Sequence, residues 1–166
     1  PDFIYPANAS EPLLIGGSVA CSPDGGVTTT ENTFANPYSA SDIQPGTELS
    51  LSCVSFAMQF SGTTIPATIQ VWLDSNGGAP FAPGVDLSEL GAAAQYCADG
   101  DGIYQVSFPE PVVIPADADF VVSLSFPASE TGFAGLGATD APSVSDTYIL
   151  SASCGINSFL NMNQFG

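Results

Sequence analysis

Apolar residues recur at every second position in most segments of this chain, and helical spacing is almost absent. The clearest alternating segments are 49–60, 69–73, 104–108 and 120–126, and weaker ones lie at 27–38, 92–97, 111–114, 147–152 and 159–165. Only the segment 86–91 suggests a helical turn. Gly (17 residues) and Pro (14 residues) are spread along the chain, as expected for many short strands joined by turns. The pattern predicts an all-β fold, a jelly-roll-like β-sandwich with an extended N-terminal strand.

The alternation changes phase within the segment 49–60. Leu49, Leu51 and Cys53 fall on one face, whereas the apolar residues from Val54 onward occupy the even-numbered positions up to Phe60. One extra residue in a strand produces such a shift, so we expect a β-bulge near Cys53.

Residues 1–20 differ from the rest and are predicted to be an N-terminal extension, with the β-sandwich domain at 21–166. The extension carries two apolar patches beside prolines, followed by Gly16 and Gly17; the patches contain Phe3, Ile4, Tyr5, Leu13, Leu14 and Ile15. Such a segment is either an ordinary first strand packed on its own domain or a donor strand that completes a neighbour's sheet. Repeated head to tail, the second arrangement gives a helical filament.

The chain has 17 Asp and Glu residues and no Lys, Arg or His, for a net charge of −17. Nucleic acid and anionic membrane surfaces are therefore excluded as partners, because both are bound mainly through cationic side chains. Membrane insertion is not expected either, since no apolar run reaches 18 residues. Identical subunits can attract one another only through apolar side chains and backbone hydrogen bonds, and the apolar residues of the extension are the expected assembly anchors.

The missing residue types also restrict the chemistry. Without His, Ser-His-Asp and Cys-His catalytic sites cannot be built, and without Lys neither can a Schiff base. A carboxylate glycosidase is the remaining class of enzyme, but no pair of carboxylates stands out at a suitable separation. We therefore expect no catalytic residue and a structural role.

Four cysteines lie far apart, at 21, 53, 97 and 154. With no Cys-x-x-Cys pair, two disulfides in an oxidising, extracellular setting explain them better than a metal site. Three pairings are possible, and the favoured one is Cys21–Cys154 with Cys53–Cys97. These features predict a secreted protein that forms a cell-surface appendage.

Two other kinds of site are suggested by short motifs. Asp99 and Asp101 alternate with glycines in a turn, which suits a hard cation such as Ca²⁺, although Asp and Gly are also ordinary turn formers. No other cofactor is expected. Asn8 begins an Asn-x-Ser sequon and is a candidate for N-glycosylation. Glycans are thus possible covalent or bound partners.

Trp72 lies on the face of its strand opposite Ile69, Val71 and Leu73. An exposed aromatic ring can stack on a sugar, so an adhesin or carbohydrate-binding module is the alternative function. A tryptophan in a core or interface is the plainer interpretation.

The body resembles the β-sandwich modules of secreted and surface proteins of environmental bacteria. The resemblance rests on these segments: Thr30-Glu-Asn-Thr-Phe, Cys53-Val-Ser-Phe-Ala-Met, Ile69-Gln-Val-Trp-Leu-Asp, the 111–122 segment that begins at Pro111, Ser153-Cys-Gly-Ile and the closing Asn161-Met-Asn-Gln-Phe-Gly. It implies display, adhesion or assembly, with no catalytic residues to transfer. Related modules commonly carry an Arg after the first of these segments, which this chain lacks. By its extension the chain also resembles a subunit of a donor-strand-type extracellular fibril.

Overall fold

The computed structural model describes residues 14–78, 81–98, 100–138 and 146–165. Ten strands and three short helical segments are present in this part of the chain. The strands are β1 (Leu14–Val19), β2 (Asn32–Ser39), β3 (Leu49–Gly62), β4 (Ile65–Asp74), β5 (Leu87–Ala98), β6 (Gly102–Ile114), β7 (Asp119–Phe126), β8 (Gly132–Ala138), β9 (Tyr148–Ser151) and β10 (Ile156–Asn161). The helix α1 (Ala40–Ile43) follows β2, and 3₁₀ turns lie at Ala152–Cys154 and Met162–Phe165.

The strands form two antiparallel sheets that pack together. One sheet has the order β1-β8-β3-β6, and the other has the order β10-β9-β2-β7-β4-β5. Strands one to eight are thus arranged as in an eight-stranded jelly roll, and β9 and β10 extend the second sheet beyond β2. The predicted all-β sandwich of the jelly-roll type is confirmed.

The main core lies between the two sheets and is built from the alternating residues that the pattern singled out. From the six-stranded sheet, Phe34, Ile69 and Val71 are almost fully buried. Met58, Val106 and Ile114 face them from the four-stranded sheet and belong to the same cluster. Burial of these side chains is the main force that holds the sheets together.

An irregularity in the β3–β6 pairing explains the change of phase in the sequence. Leu51 pairs with Val112 and Cys53 pairs with Ser107, so β3 advances two residues while β6 moves five, and the extra residues lie on β6. Leu51 and Val54 therefore both face the core. Cys53 lies on the outer face instead, opposite the exposed Ser107. The predicted irregularity near Cys53 is confirmed, although the extra residues lie on β6. Placing Cys53 on the same face as Leu49 and Leu51 was wrong.

The six-stranded sheet also buries part of its outer face. Ala35 and Val121 are fully buried there, together with Phe81, Leu87 and Phe159. Phe81 comes from the connection between β4 and β5, where the ring of Tyr148 meets it edge to face at 4.9 Å between centroids. The helical turn expected at 86–91 is absent, because β5 begins at Leu87 and buries that side chain in this cluster.

The two open sides of the sandwich are closed differently. On one side, β5 lies against β6, and the rings of Tyr96 and Tyr104 pack 5.1 Å apart between centroids. On the other side, a disulfide joins Cys21, two residues after β1, to Cys154, two residues before β10. The edge strands β1 and β10 therefore lie on the same side. None of the described helices is long and apolar enough to cross a membrane.

Candidate assembly site at the first strand

The strand β1 lies at the edge of the four-stranded sheet and pairs with β8 of its own chain. Leu14 is opposite Ala138 and Val19 is opposite Leu136, so β1 advances five residues while β8 moves two. Gly16 and Gly17 fall within this irregular stretch. Residues Leu14–Val19 of the extension thus form a strand on their own domain, but the pairing is short and its register is broken.

The end of β1 is fixed by a compact group of contacts around Cys21, which we call the anchor (residues 21–32 and 151–154). Its covalent part is the Cys21–Cys154 disulfide, which links residues separated by 133 positions and was predicted from the sequence. Only Ala20 lies between the last residue of β1 and this bond. The anchor therefore sets the point from which β1 can leave the sheet.

Asn32 supplies the polar part of the anchor. Its side chain is 1% exposed, and its Oδ1 accepts a 2.8 Å hydrogen bond from the backbone N–H of Cys21. Its Nδ2 donates to the carbonyl of Cys21 at 3.2 Å and to the carbonyl of Thr30 at 2.9 Å. A buried amide is stable only when its polar atoms are paired in this way. Because Asn32 and Phe34 both point inward, the period-2 pattern could have revealed this buried polar residue.

Glu31 and Ser151 join the anchor to the C-terminal part of the chain. The Glu31 carboxylate accepts hydrogen bonds from the N–H and the hydroxyl of Ser153, both at 2.7 Å. The hydrogen bonds from Ser153 hold the pKa of Glu31 below its usual value. The Ser151 hydroxyl donates to the carbonyl of Glu31 at 2.6 Å. The residues just before Cys154 are thereby fixed to the start of β2.

Asp24 organises the loop between Cys21 and β2. Its carboxylate accepts hydrogen bonds from the Thr28 N–H at 2.9 Å, the Thr28 hydroxyl at 2.8 Å and the Ser22 hydroxyl at 2.9 Å. These contacts, led by the Thr28 N–H, lower the pKa of Asp24 to about 2. In a chain without Lys, Arg or His, carboxylates are stabilised by N–H and O–H donors of this kind.

Several predicted site residues lie outside the described residues. Among the assembly anchors, this holds for Phe3, Ile4, Tyr5 and Leu13, and it also holds for the sequon residue Asn8 and for Asp99. Leu14 and Ile15 are the first two residues of β1. The interpretations of the residues beyond the described ranges stay predictions.

The predicted Cys53–Cys97 disulfide is not formed in the structure. Cys97 pairs with the exposed Pro66 on the outer face of the six-stranded sheet, and its own side chain is exposed. Cys53 lies on the outer face of the other sheet because of the irregular β3–β6 pairing, and its Sγ accepts a 3.4 Å hydrogen bond from Gln105. The two thiols face away from each other, which corrects the pairing favoured from the sequence.

The acidic turns use their carboxylates on the backbone. Asp101 Oδ1 accepts a 2.6 Å hydrogen bond from the N–H of Phe60, and Asp117 Oδ1 accepts one of 2.7 Å from Gly46. Asp74 similarly binds the N–H groups of Asn76 and Gly78 at the end of β4. The described residues contain no group of three or more potential metal ligands. The Asp74 contacts are ordinary turn chemistry, whereas those of Asp101 and Asp117 join segments 41 and 71 positions apart. Ca²⁺ binding stays a prediction.

Trp72 lies half-buried on the outer face of the six-stranded sheet, beside the cluster of Val121 and Leu87. Its Nε1 donates a 2.8 Å hydrogen bond to the hydroxyl of Ser123. The expectation that Trp72 points away from Ile69, Val71 and Leu73 is therefore correct, and the face is partly packed.

Comparison of the chain with protein-family models, curated proteins and solved structures finds no match. The fold and the anchor are thus the basis for any functional conclusion.

Proposed function

We propose that this protein is the structural subunit of an extracellular filament, in which β1 of one copy takes the place of β1 in the next copy. The observation that supports this most directly is the position of β1. It is an edge strand, it precedes the anchor in sequence, and its pairing with β8 is irregular.

Exchange of β1 between copies conserves the contacts of the jelly roll. The donated strand makes the same backbone hydrogen bonds with β8 of the acceptor as it makes within its own chain, so the exchange needs little extra free energy. Because each copy donates one strand and accepts another, the contact is head to tail and can continue without closing. A filament follows when the rotation between copies does not close a ring.

The anchor gives such a filament a regular repeat. Everything after Cys21 stays in place during the exchange, because the Cys21–Cys154 bond and the hydrogen bonds of Asn32 do not involve β1. The donated strand turns only about Ala20. A hinge this short fixes how far the acceptor lies from the donor.

The absence of cationic side chains fits a noncovalent filament held by strands. Seventeen carboxylates repel one another between copies, less so as salt screens them. Backbone hydrogen bonds and the apolar side chains of the extension can overcome that repulsion. The disulfide is compatible with an extracellular location and supports a secreted protein. The absence of cationic side chains supports other copies of the same chain as its partner.

A cross-link that holds β1 in its own domain tests the proposal. Residues Val19 and Leu136 are opposite each other in the β1–β8 pairing, so cysteines at both positions can join the strands. The double variant is made in a chain with Cys53→Ser and Cys97→Ser. We expect wild-type filaments by electron microscopy and none from the oxidised double variant, because its β1 cannot be donated.

A matched control joins two strands that do not exchange. Ser50 and Val113 are opposite each other on β3 and β6, and both are exposed. Cysteines at these positions should leave filament formation intact. Mass spectrometry shows whether the bond between Val19→Cys and Leu136→Cys lies within one subunit. If subunits with that internal bond still form filaments, strand exchange is refuted. Deletion of residues 1–17 is a weaker test, because it removes most of a strand of the fold.

A further inference from the structure

We infer that the groove beside Trp72 is an acceptor pocket for one aromatic side chain, Phe3 or Tyr5, of the copy whose β1 is donated. The inference rests on the proposed function and deepens it, because it names a second contact made by the same extension. It concerns the outer face of the six-stranded sheet, which the exchange of β1 leaves untouched.

The groove has a size suited to one ring. Its volume is about 150 Å³. A protein cavity of this volume, lined by apolar side chains, holds a benzene molecule. Trp72, Leu87, Val121, Leu150 and Phe159 supply most of the groove walls. A phenyl or phenol ring therefore fits both the volume and the apolar lining.

The polar atoms of the groove favour an aromatic side chain over a sugar. The hydroxyls of Thr33 and Ser125 bond each other at 3.0 Å, and the Ser123 hydroxyl accepts from Trp72 and donates to the carbonyl of Gln70. Each of these hydroxyls already has a partner within the sheet. A sugar needs several polar partners, whereas the ring of Phe3 needs none and Tyr5 needs one for its hydroxyl.

The chain upstream of β1 can reach the groove of the copy that accepts β1. The groove contains residues of β9 and β10, and β10 is the edge strand on the same side of the sandwich as β1. From Leu14, where β1 begins, Tyr5 is nine residues upstream, which allows a span of up to about 30 Å. The path runs about 10 Å between the sheets and about 10 Å more from β10 across β9 to β2, so the extended segment reaches the end of the groove formed by Leu150 and Phe159.

The charges around the groove suit this occupant as well. Glu89 lies opposite Trp72 in the β4–β5 pairing and is exposed, and Asp86 lies just before Leu87. An anionic ligand would be repelled there. The ring of Phe3 or Tyr5 carries no charge, so it is repelled less than an anionic ligand, and Tyr5 is the farther of the two from Asp2.

Trp72 is the single tryptophan of the chain and reports directly on the groove. The experiment titrates a synthetic peptide of residues 1–13 into the full chain, below the concentration at which filaments form. We expect a saturable blue shift of Trp72 emission and at least a twofold loss of acrylamide quenching. A peptide with Phe3→Ser and Tyr5→Ser should produce neither change.

A matched pair of chain variants locates the binding. Ser125→Leu fills the groove from β7 and should weaken the peptide response more than tenfold. Ser107→Leu places the same side chain on the outer face of the other sheet and should leave the response unchanged. Thermal unfolding of both variants verifies that they fold.

Three results would overturn the inference. The first is an emission response that does not saturate or that persists in Ser125→Leu. The second is a saturable response to a neutral oligosaccharide, which would make the groove a sugar site. The third concerns the dilute chain without added peptide. If Trp72 is protected from acrylamide there and becomes exposed in the Phe3→Ser, Tyr5→Ser variant, the ring in the groove belongs to the same chain and not to a neighbouring copy. The cross-link experiment on Val19 and Leu136 judges strand exchange separately, so the two ideas can fail independently.

Discussion

The buried carboxamide of Asn32 hydrogen-bonds both the N–H and the carbonyl of Cys21, the residue that forms the disulfide with Cys154. One side chain thus fixes the backbone at the point where the first strand meets the rest of the fold. This contact and its neighbours lead to predictions that do not depend on filament formation.

Replacement of Asn32 by alanine should lower the free energy of unfolding by about 1–3 kcal/mol, because it leaves the N–H of Cys21 without a partner, whereas the carbonyls of Cys21 and Thr30 keep other donors. Chemical denaturation of the two chains measures the difference. Asn157→Ala provides the control, since its side chain is exposed and makes a single 3.4 Å hydrogen bond. Equal losses for the two variants would contradict the role assigned to Asn32.

The four cysteines should divide into one disulfide-bonded pair and two free thiols. In the native chain, a thiol reagent should titrate two cysteines, with the exposed Cys97 reacting faster than the half-buried Cys53. Cys97→Ser should remove the fast phase. If the native chain has no reactive thiol and reduction then yields four, Cys53 and Cys97 are bonded and the arrangement described above is incorrect.

Loss of the disulfide should destabilise the fold strongly. Cys21→Ser together with Cys154→Ser should lower the free energy of unfolding by about 2–5 kcal/mol, because the bond closes a very long loop of the unfolded chain. Urea denaturation provides the measurement. Cys53→Ser with Cys97→Ser, which removes the same number of thiols, should change it by less than about 1 kcal/mol.

The Asp24 loop should weaken in acid. The pKa of Asp24 is lowered from 3.8 to about 2 in the folded chain, so its contribution is complete above pH 4 and disappears as the pH falls toward 2. The wild type should therefore melt at a higher temperature than Asp24→Asn at pH 6, and the difference should vanish near pH 2. A difference that is constant across this range would contradict the assignment.

Gly62 should tolerate no side chain. It has φ +88°, and a Cβ there would overlap the carbonyl oxygen of Thr131, next to β8. Gly62→Ala should cost about 2 kcal/mol or more, measured by thermal or chemical unfolding. Gly46→Ala, with φ +68° but open space, should cost only about 1 kcal/mol. A smaller loss for Gly62 than for Gly46 would contradict the close approach of β3 and β8.

Much of this fold could be predicted from the alternation of apolar residues, because burial on one face of a strand imposes a period of two. The irregular β3–β6 pairing was visible as a change of phase in β3, and the Cys21–Cys154 pairing was correct. The Cys53–Cys97 pairing was not, since the position of the irregularity within 51–53 decides which face Cys53 takes. Pattern alone does not fix a register to one residue.

The candidate site was predictable only in part. The apolar extension stood out in the sequence, but the anchor depends on contacts between residues about 120 positions apart, such as Glu31 and Ser153. The groove beside Trp72 likewise combines side chains from six strands and from the connection before β5. No local pattern encodes such long-range combinations.

The position of the Cys21–Cys154 bond has a mechanical consequence for the proposed filament. A pull along the filament would enter each subunit through β1, and two residues later it would meet a covalent link to the opposite sheet. The load is then shared between both sheets instead of peeling one edge strand from its neighbour. Reduction of this single bond should therefore lower the breaking force of a filament while leaving its length distribution at rest unchanged, a difference that single-molecule stretching can measure.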